Sequence, residues 1–228
     1  MSFFSRALVF FSLLLTVNGQ EVPWKPAARA EPASWPESVK EQAQMMKQKP
    51  ARLIFIGDSI IEGWDEDVWK TRIASAGAHN FGIGGDGPQH VLWRIEHGLL
   101  EGASPEAFVL MIGINNFWRE FTAADTARGI ETIVERIHQR HPESRILLLG
   151  LLPVYEAKSP IRAWIGEINT RLKQRHGTQK TEFIDLSAEF LEPDGNQRRQ
   201  LYTEDHLHLT KAGYIVLTRG LASALHLP

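Results

Sequence analysis

The sequence predicts a single three-layer α/β/α domain on a five-stranded parallel sheet. From Ala51 onward short apolar runs alternate with longer amphipathic stretches, and three of the runs are apolar throughout rather than at every second position. Strands joined by crossover helices produce the first pattern, and strands covered by helices on both faces produce the second. Length agrees: beyond an N-terminal segment about 200 residues remain, enough for one compact domain, whereas a (β/α)₈ barrel needs about 250.

Taken in order, Arg6 precedes an apolar run, Ala7–Val17, and Gly19 follows it. That is the layout of a secretory signal over residues 1–19, cleaved near Gly19–Gln20. The run of about eleven residues is short for a helix across a bilayer of ~30 Å, so export to a secreted or periplasmic location is expected, with no membrane span after signal removal. Residues 20–48 read as a proline-rich tether followed by a polar helix from Pro36 to about Lys47, on the outside of the domain, with Ser34 or Ser38 as its cap. The domain proper is 49–228. Its strands are expected at Arg52–Ile56, Ala78–Phe81, Ala107–Ile112, Arg145–Leu151 and Glu182–Asp185. Its helices are expected at Asp65–Ala76, Gln89–Leu100, Thr122–His141, Pro160–His176 and Thr210–Leu225, where Ala123, Ala124 and Pro160 sit as helix-start residues should.

Composition excludes several functions. A formal charge of −2 leaves no basic excess to neutralise a nucleic acid or an anionic membrane. The chain has no cysteine, which removes disulfides, thiolate nucleophiles and cysteine-based metal centres. A small-molecule partner is expected, and a homodimer is left open.

Four blocks carry chemistry. Ile54-Phe55-Ile56-Gly57-Asp58-Ser59 ends a buried strand in a serine on a strand-to-helix turn, where the helix directs free N–H groups toward a developing oxyanion. Read alone, that serine is as readily a helix cap. Asn80-Phe81-Gly82-Ile83-Gly84-Gly85-Asp86 follows the second strand, and its glycines let backbone approach a ligand. It lacks the Lys-Ser/Thr of a phosphate loop and the spacing of a dinucleotide fingerprint. Gly113-Ile114-Asn115-Asn116 places amide donors at the end of the third strand. Asp205-His206-Leu207-His208-Leu209-Thr210 puts Asp205 one turn ahead of His208, so that the carboxylate accepts from Nδ1 and leaves Nε2 free to take the Ser59 proton; His206 reads as structural. His206, His208 and Asp205 could instead hold zinc, but the remaining ligands of such a site are missing from the pattern, and no metal is expected. All four blocks fall where ligands bind in open α/β sheets, and together they supply a nucleophile, a base, an orienting acid and oxyanion donors.

Gly57-Asp58-Ser59-Ile60, the Gly84-Gly85 loop, Gly113-Ile114-Asn115-Asn116 and Asp205-x-x-His208 resemble the four signature blocks of the SGNH/GDSL hydrolases, over about Ala51 to Leu227. Asn80–Asp86 with Val91-Leu92-Trp93-Arg94, and Leu149-Gly150-Leu151-Leu152-Pro153, are similar to the platelet-activating-factor acetylhydrolase alpha subunits in particular. The resemblance implies a flavodoxin-like sheet of order 2-1-3-4-5 and no cofactor. It also implies an oxyanion held by Ser59 N–H, Gly85 N–H and the Asn115 side chain. Ile60 stands where the family motif has leucine, an exchange of one apolar residue for another at a position expected to face the helix–sheet contact.

The expectation is a serine esterase for short-chain, acetyl-type esters, with Ser59 as nucleophile, His208 as base and Asp205 as its orienting acid. A base that must be unprotonated makes activity rise with pH through about 6 to 7. A carbohydrate or peptidoglycan O-acetyl esterase uses the same machinery, with Trp64 and Trp118 as pocket walls or as plain packing. A non-catalytic binding module of the same fold is the alternative of another class.

Overall fold

The computed structural model describes residues 21–178 and 180–227, so the expected signal over 1–19 lies outside the described residues. The sheet has the order β2-β1-β3-β4-β6-β5, with β1 Leu53–Gly57, β2 Ala78–Gly82, β3 Ala107–Met111, β4 Arg145–Leu149, β5 Gly177–Thr178 and β6 Thr181–Ile184. Five strands pair in parallel, and counted along the chain their order is 2-1-3-4-5, as expected. The sixth, β5, is a two-residue antiparallel appendage on the β6 edge.

Every residue of β1 and β3 is buried, which is why those two runs are apolar without alternation. They are paired in register, Leu53 opposite both Ala78 and Ala107, so the three strands finish level with one another and present their ends as one rim.

The helices are α1 Trp35–Gln48, α2 Ser59–Glu62, α3 Glu66–Val68, α4 Pro88–Glu96, α5 Ala123–Arg140, α6 Pro160–Arg175 and α7 Lys211–Leu225. Thr122 and Thr210 cap α5 and α7 by accepting from Asp125 N–H and Gly213 N–H. The helix expected over Asp65–Ala76 is broken: α3 gives way to a π turn at Trp69–Ile73 and a 3₁₀ turn at Ala74–Ala76. The widened turn accompanies the seating of the Trp69 indole edge-on against Phe55 and Trp64, with ring centres 5.0 and 6.0 Å apart. The helix expected to reach Leu100 stops at Glu96, just before the chain turns at Gly98. Among the described residues no helix is long and apolar enough to cross a membrane.

The proline-rich segment, expected as a tether, is packed on the domain. Ala27 N–H donates to Gln89 O at 3.1 Å, the Arg128 guanidinium lies 4.1 Å over the Trp24 ring, and Trp35, 1% exposed, heads α1 in a small cluster with Val39 and Ile83. Proline removes ladder donors but leaves side chains free to dock, and here Trp24, Arg29 and Trp35 all find partners on the domain.

Candidate active site

Ser59 is the first residue of α2, separated from the end of β1 by Asp58 alone. The turn is tight enough to exclude side chains on both neighbouring strands: a Cβ at Gly57 would overlap Ile61 and Met111 O, and one at Gly82 would overlap the Glu62 backbone. Asp58 caps the helix, Oδ1 accepting from Ile60 N–H at 3.1 Å. Burial of Asp58 pushes its carboxyl up to about 7, against the lowering effect of Ile60 N–H and with the Asp86 carboxylate adding to the rise.

The last block comes from the far end of the chain to meet it. With its proton on Nδ1, His208 donates to Asp205 Oδ2 at 2.6 Å, and its Nε2 accepts from Ser59 Oγ at 2.8 Å. Asp205 Oδ1 accepts from the Thr203 hydroxyl at 2.7 Å and from Leu207 and His208 N–H, both at 2.9 Å. Desolvation tends to raise the Asp205 carboxyl, but hydrogen bonds from His208, Thr203 and those two N–H groups outweigh it and hold the group well below the usual carboxylate range. His206 engages Gln197 and stacks near Tyr155 instead, at a positive φ of 61°.

Facing Ser59 is the loop Gly84-Gly85-Asp86; a Cβ at Gly84 would stand 3.6 Å from Ser59 Cβ. Gly84 N–H donates to Glu62 Oε2 at 2.9 Å, Gly84 O accepts from Arg29 Nη1 at 2.6 Å, and Gly85 O accepts from Arg119 Nη2 at 2.7 Å. Asn115 Nδ2 donates to Asp86 O at 3.0 Å, which fixes the amide and uses one of its two hydrogens. Ser59 N–H and Gly85 N–H make no hydrogen bond among the described residues. The arrangement therefore gathers a hydroxyl, a base in contact with it and three unspent N–H groups at one rim, as acyl transfer requires.

Beneath the loop, the fully buried Asp86 carboxylate accepts from Arg94 Nη1 at 2.9 Å, Trp35 Nε1 at 2.8 Å and Arg29 Nη1 at 3.2 Å. Burial, followed by the nearby Arg119, Arg29 and Arg94 charges, pushes His90 down to about 3, so its imidazole is neutral; Nδ1 accepts from Gly87 N–H at 2.8 Å, and Nε2 lies 3.2 Å from Glu21 Oε1.

The structure joins Ser59, His208 and Asp205 in one hydrogen-bonded chain and places the Gly84–Asp86 loop beside Ser59, with Asn115 bonded to that loop. Trp64 does not join them: it is 5% exposed, donates to Thr218 Oγ1 at 3.2 Å and packs on Phe55 and Tyr214, so it belongs to the core rather than to a pocket wall. Trp118 is 48% exposed. Sequence reading missed Glu62, Arg29 and Arg119. The available signals were Glu62 three residues after Ser59 and Arg119 four after Asn115, whose carbonyl it also contacts at 3.1 Å; Arg29 carried no local signal. No group of three or more His, Asp or Glu side chains suited to a metal occurs among the described residues.

A model of the GDSL-like Lipase/Acylhydrolase family matches residues 55–216. The chain is 36% identical over 182 residues, 78% of this chain and 77% of the relative, to the platelet-activating factor acetylhydrolase IB subunit alpha1 of Homo sapiens. The crystal structure of a GDSL-like lipase from Bacteroides thetaiotaomicron superposes with a TM-score of 0.68 at 21% identity, covering 84% of this chain and 96% of the other. An acetylxylan esterase from Geobacillus stearothermophilus superposes with a TM-score of 0.60 at 19% identity, covering 78% and 94%. These last two likenesses are of fold.

Proposed function

The chain belongs to the GDSL-like lipase/acylhydrolase family and is a hydrolase acting on esters, and from that premise we propose that it removes short acyl groups, acetyl above all, through Ser59, His208 and Asp205. Ser59 Oγ attacks the ester carbonyl while His208 Nε2 takes its proton. The oxyanion is met by Ser59 N–H, Gly85 N–H and Asn115 Nδ2. His208 then protonates the departing alcohol, and in the second half-reaction it activates the water that releases the acid. Asp205 keeps the imidazole in the required tautomer and stabilises its charged form. The observation that carries this reading is the 2.8 Å contact between Ser59 Oγ and His208 Nε2, two groups 149 residues apart in sequence.

The alcohol partner divides two versions of the proposal. The similarity to a platelet-activating factor acetylhydrolase subunit supports the alcohol of an acetyl ester such as platelet-activating factor. Trp118, exposed three residues after Asn115, supports a sugar alcohol stacked on its indole. Export, expected from the Ala7–Val17 run, belongs to the same proposal and is checked by sequencing the N-terminus of material recovered outside the cell.

Wild-type protein is expected to hydrolyse p-nitrophenyl acetate, with Ser59→Ala at the no-enzyme background. Equal turnover by the two proteins would remove Ser59 as nucleophile, and no turnover by either, on a panel of acetylated sugars, acyl phospholipids and simple esters, would favour a non-catalytic binding module.

A further inference from the structure

The Gly84–Gly85 peptide is the weakest-held part of the proposed oxyanion site by its own chemistry. Gly84 O and Gly85 N–H belong to one trans peptide plane and point in opposite directions. Turning that plane over requires backbone rotation at two glycines, the residue type that resists it least, and would put a carbonyl where a donor is needed. Gly85 already sits at φ +78°, a region that few other residues tolerate.

Among the described residues, Arg29 alone grips this plane with a side chain. Glu62 holds the preceding peptide through Gly84 N–H, and Arg119 holds the following one through Gly85 O. Arg29 Nη1 donates to Gly84 O at 2.6 Å, and its guanidinium covers Gly85 so closely that a Cβ there would lie 2.8 Å from Nη2. Arg29 is itself braced: its side chain is only 14% exposed, it pairs with the buried Asp86 at 3.2 Å, and its segment is tied down through Ala27 N–H to Gln89 O and through Trp35 to Asp86.

We propose that Arg29, delivered by the docked proline-rich segment, is a positioning residue for ester hydrolysis: by binding Gly84 O it holds Gly85 N–H in the orientation that receives the oxyanion. The segment is then part of the active site rather than a spacer. This rests on the assignment of Gly85 N–H to the oxyanion.

The test measures kcat and KM on p-nitrophenyl acetate for Arg29→Met and Arg29→Lys, beside wild type and Ser59→Ala, each normalised to folded protein. Loss of one oxyanion donor typically lowers turnover by about 10²–10³-fold, so a donor that is only partly misdirected should lower kcat by about tenfold in Arg29→Met. KM should stay within about twofold, as expected when an interaction made only in the transition state is lost. Arg29→Lys, which can still reach a carbonyl, should recover most of the rate. Phosphonylation of Ser59 by a p-nitrophenyl phosphonate, which places an oxygen in the same hole, should slow in step with kcat. Wild-type kcat in folded Arg29→Met, or a loss confined to KM or to melting temperature, overturns the proposal. If Arg29→Met does not fold, Arg29→Gln, which keeps a polar group beside Asp86, is read by the same criteria. Turnover surviving in Ser59→Ala would instead bring down the esterase assignment itself.

Discussion

Two arms hold the groups proposed to react, and they are built differently. The base arm, Thr203 to His208, is half-exposed and ties itself together: every bond to Asp205 comes from a residue two or three positions away. The arm proposed to bind the oxyanion, Gly84 to Asp86, is held by four side chains from three other parts of the chain, with Arg29 lying 55 positions from the carbonyl it grips and Asp86 wholly buried. A self-contained arm can be recognised from a short motif and should tolerate loss of a single bond. An arm assembled from distant pieces is invisible to a motif, and each piece carries more of its orientation.

The largest expected effect lies where the arms meet. His208→Ala removes the base from Ser59 Oγ and should lower turnover by about 10⁴-fold or more, since members of a nucleophile–base unit fail together. It should leave melting nearly unchanged, because the side chain is partly exposed. Combining it with Ser59→Ala should cost little further activity; an additive loss would mean that the two do not act as a unit. Next comes Asn115→Ala on the oxyanion arm, expected to reduce kcat by about 10²–10³-fold in a folded protein, as read by kinetics alongside circular dichroism. Turnover at the wild-type level would strike Asn115 from the oxyanion site.

The same contrast explains what was legible in the sequence. Ser59, Asn115, Asp205 and His208 each follow a strand or precede the closing helix, so a local pattern of type and spacing was enough to single them out as candidates. The sheet was legible because β1 and β3 are buried on both faces and their apolar runs admit no other reading. What stayed hidden depends on contacts between remote segments. The Trp69 indole against Phe55 and Trp64 accompanies a break in a helix that the local pattern continued through, and the docking of the proline-rich segment is decided by Asp86 and Gln89, residues outside that segment.

A smaller and sign-specific test separates the buried groups of the site. Asp58 has its folded-state pKa raised to about 7, so the folded protein keeps a proton that the unfolded chain has released; its contribution to stability is full below the ordinary carboxylate value and declines as pH rises toward 7. His90, lowered to about 3, behaves oppositely: the unfolded chain binds the extra proton, so its contribution is full above the ordinary histidine value and is lost as pH falls toward 3. Relative to wild type, Asp58→Asn should therefore gain stability as pH is raised from about 4 to 7, and His90→Gln should lose relative stability over about 3 to 6.5, each by at most about 1.4 kcal/mol per pH unit. Urea denaturation across that range checks both slopes, and parallel curves for variant and wild type would remove either group from the pH dependence.

The smallest effect is expected within the base arm. Thr203→Val takes away one of the four bonds to Asp205 while leaving the methyl-sized bulk in place. The bond is exposed and neutral-to-charged, and the two backbone N–H groups still hold the same oxygen, so the imidazole should stay aligned. A hydrogen bond to a charged group is worth about 1.5–3 kcal/mol when protected from water, and exposure together with the surviving N–H bonds reduces the expected loss here to about 1 kcal/mol or less, roughly fivefold at most in kcat/KM. Because the hydroxyl also helps to hold Asp205 ionised, its removal should raise the carboxyl from its lowered position without bringing it to neutrality near pH 7. A drop as large as that for Asn115→Ala would mean that the arm is not self-supporting, and that its orientation, like that of the oxyanion loop, depends on each contact separately.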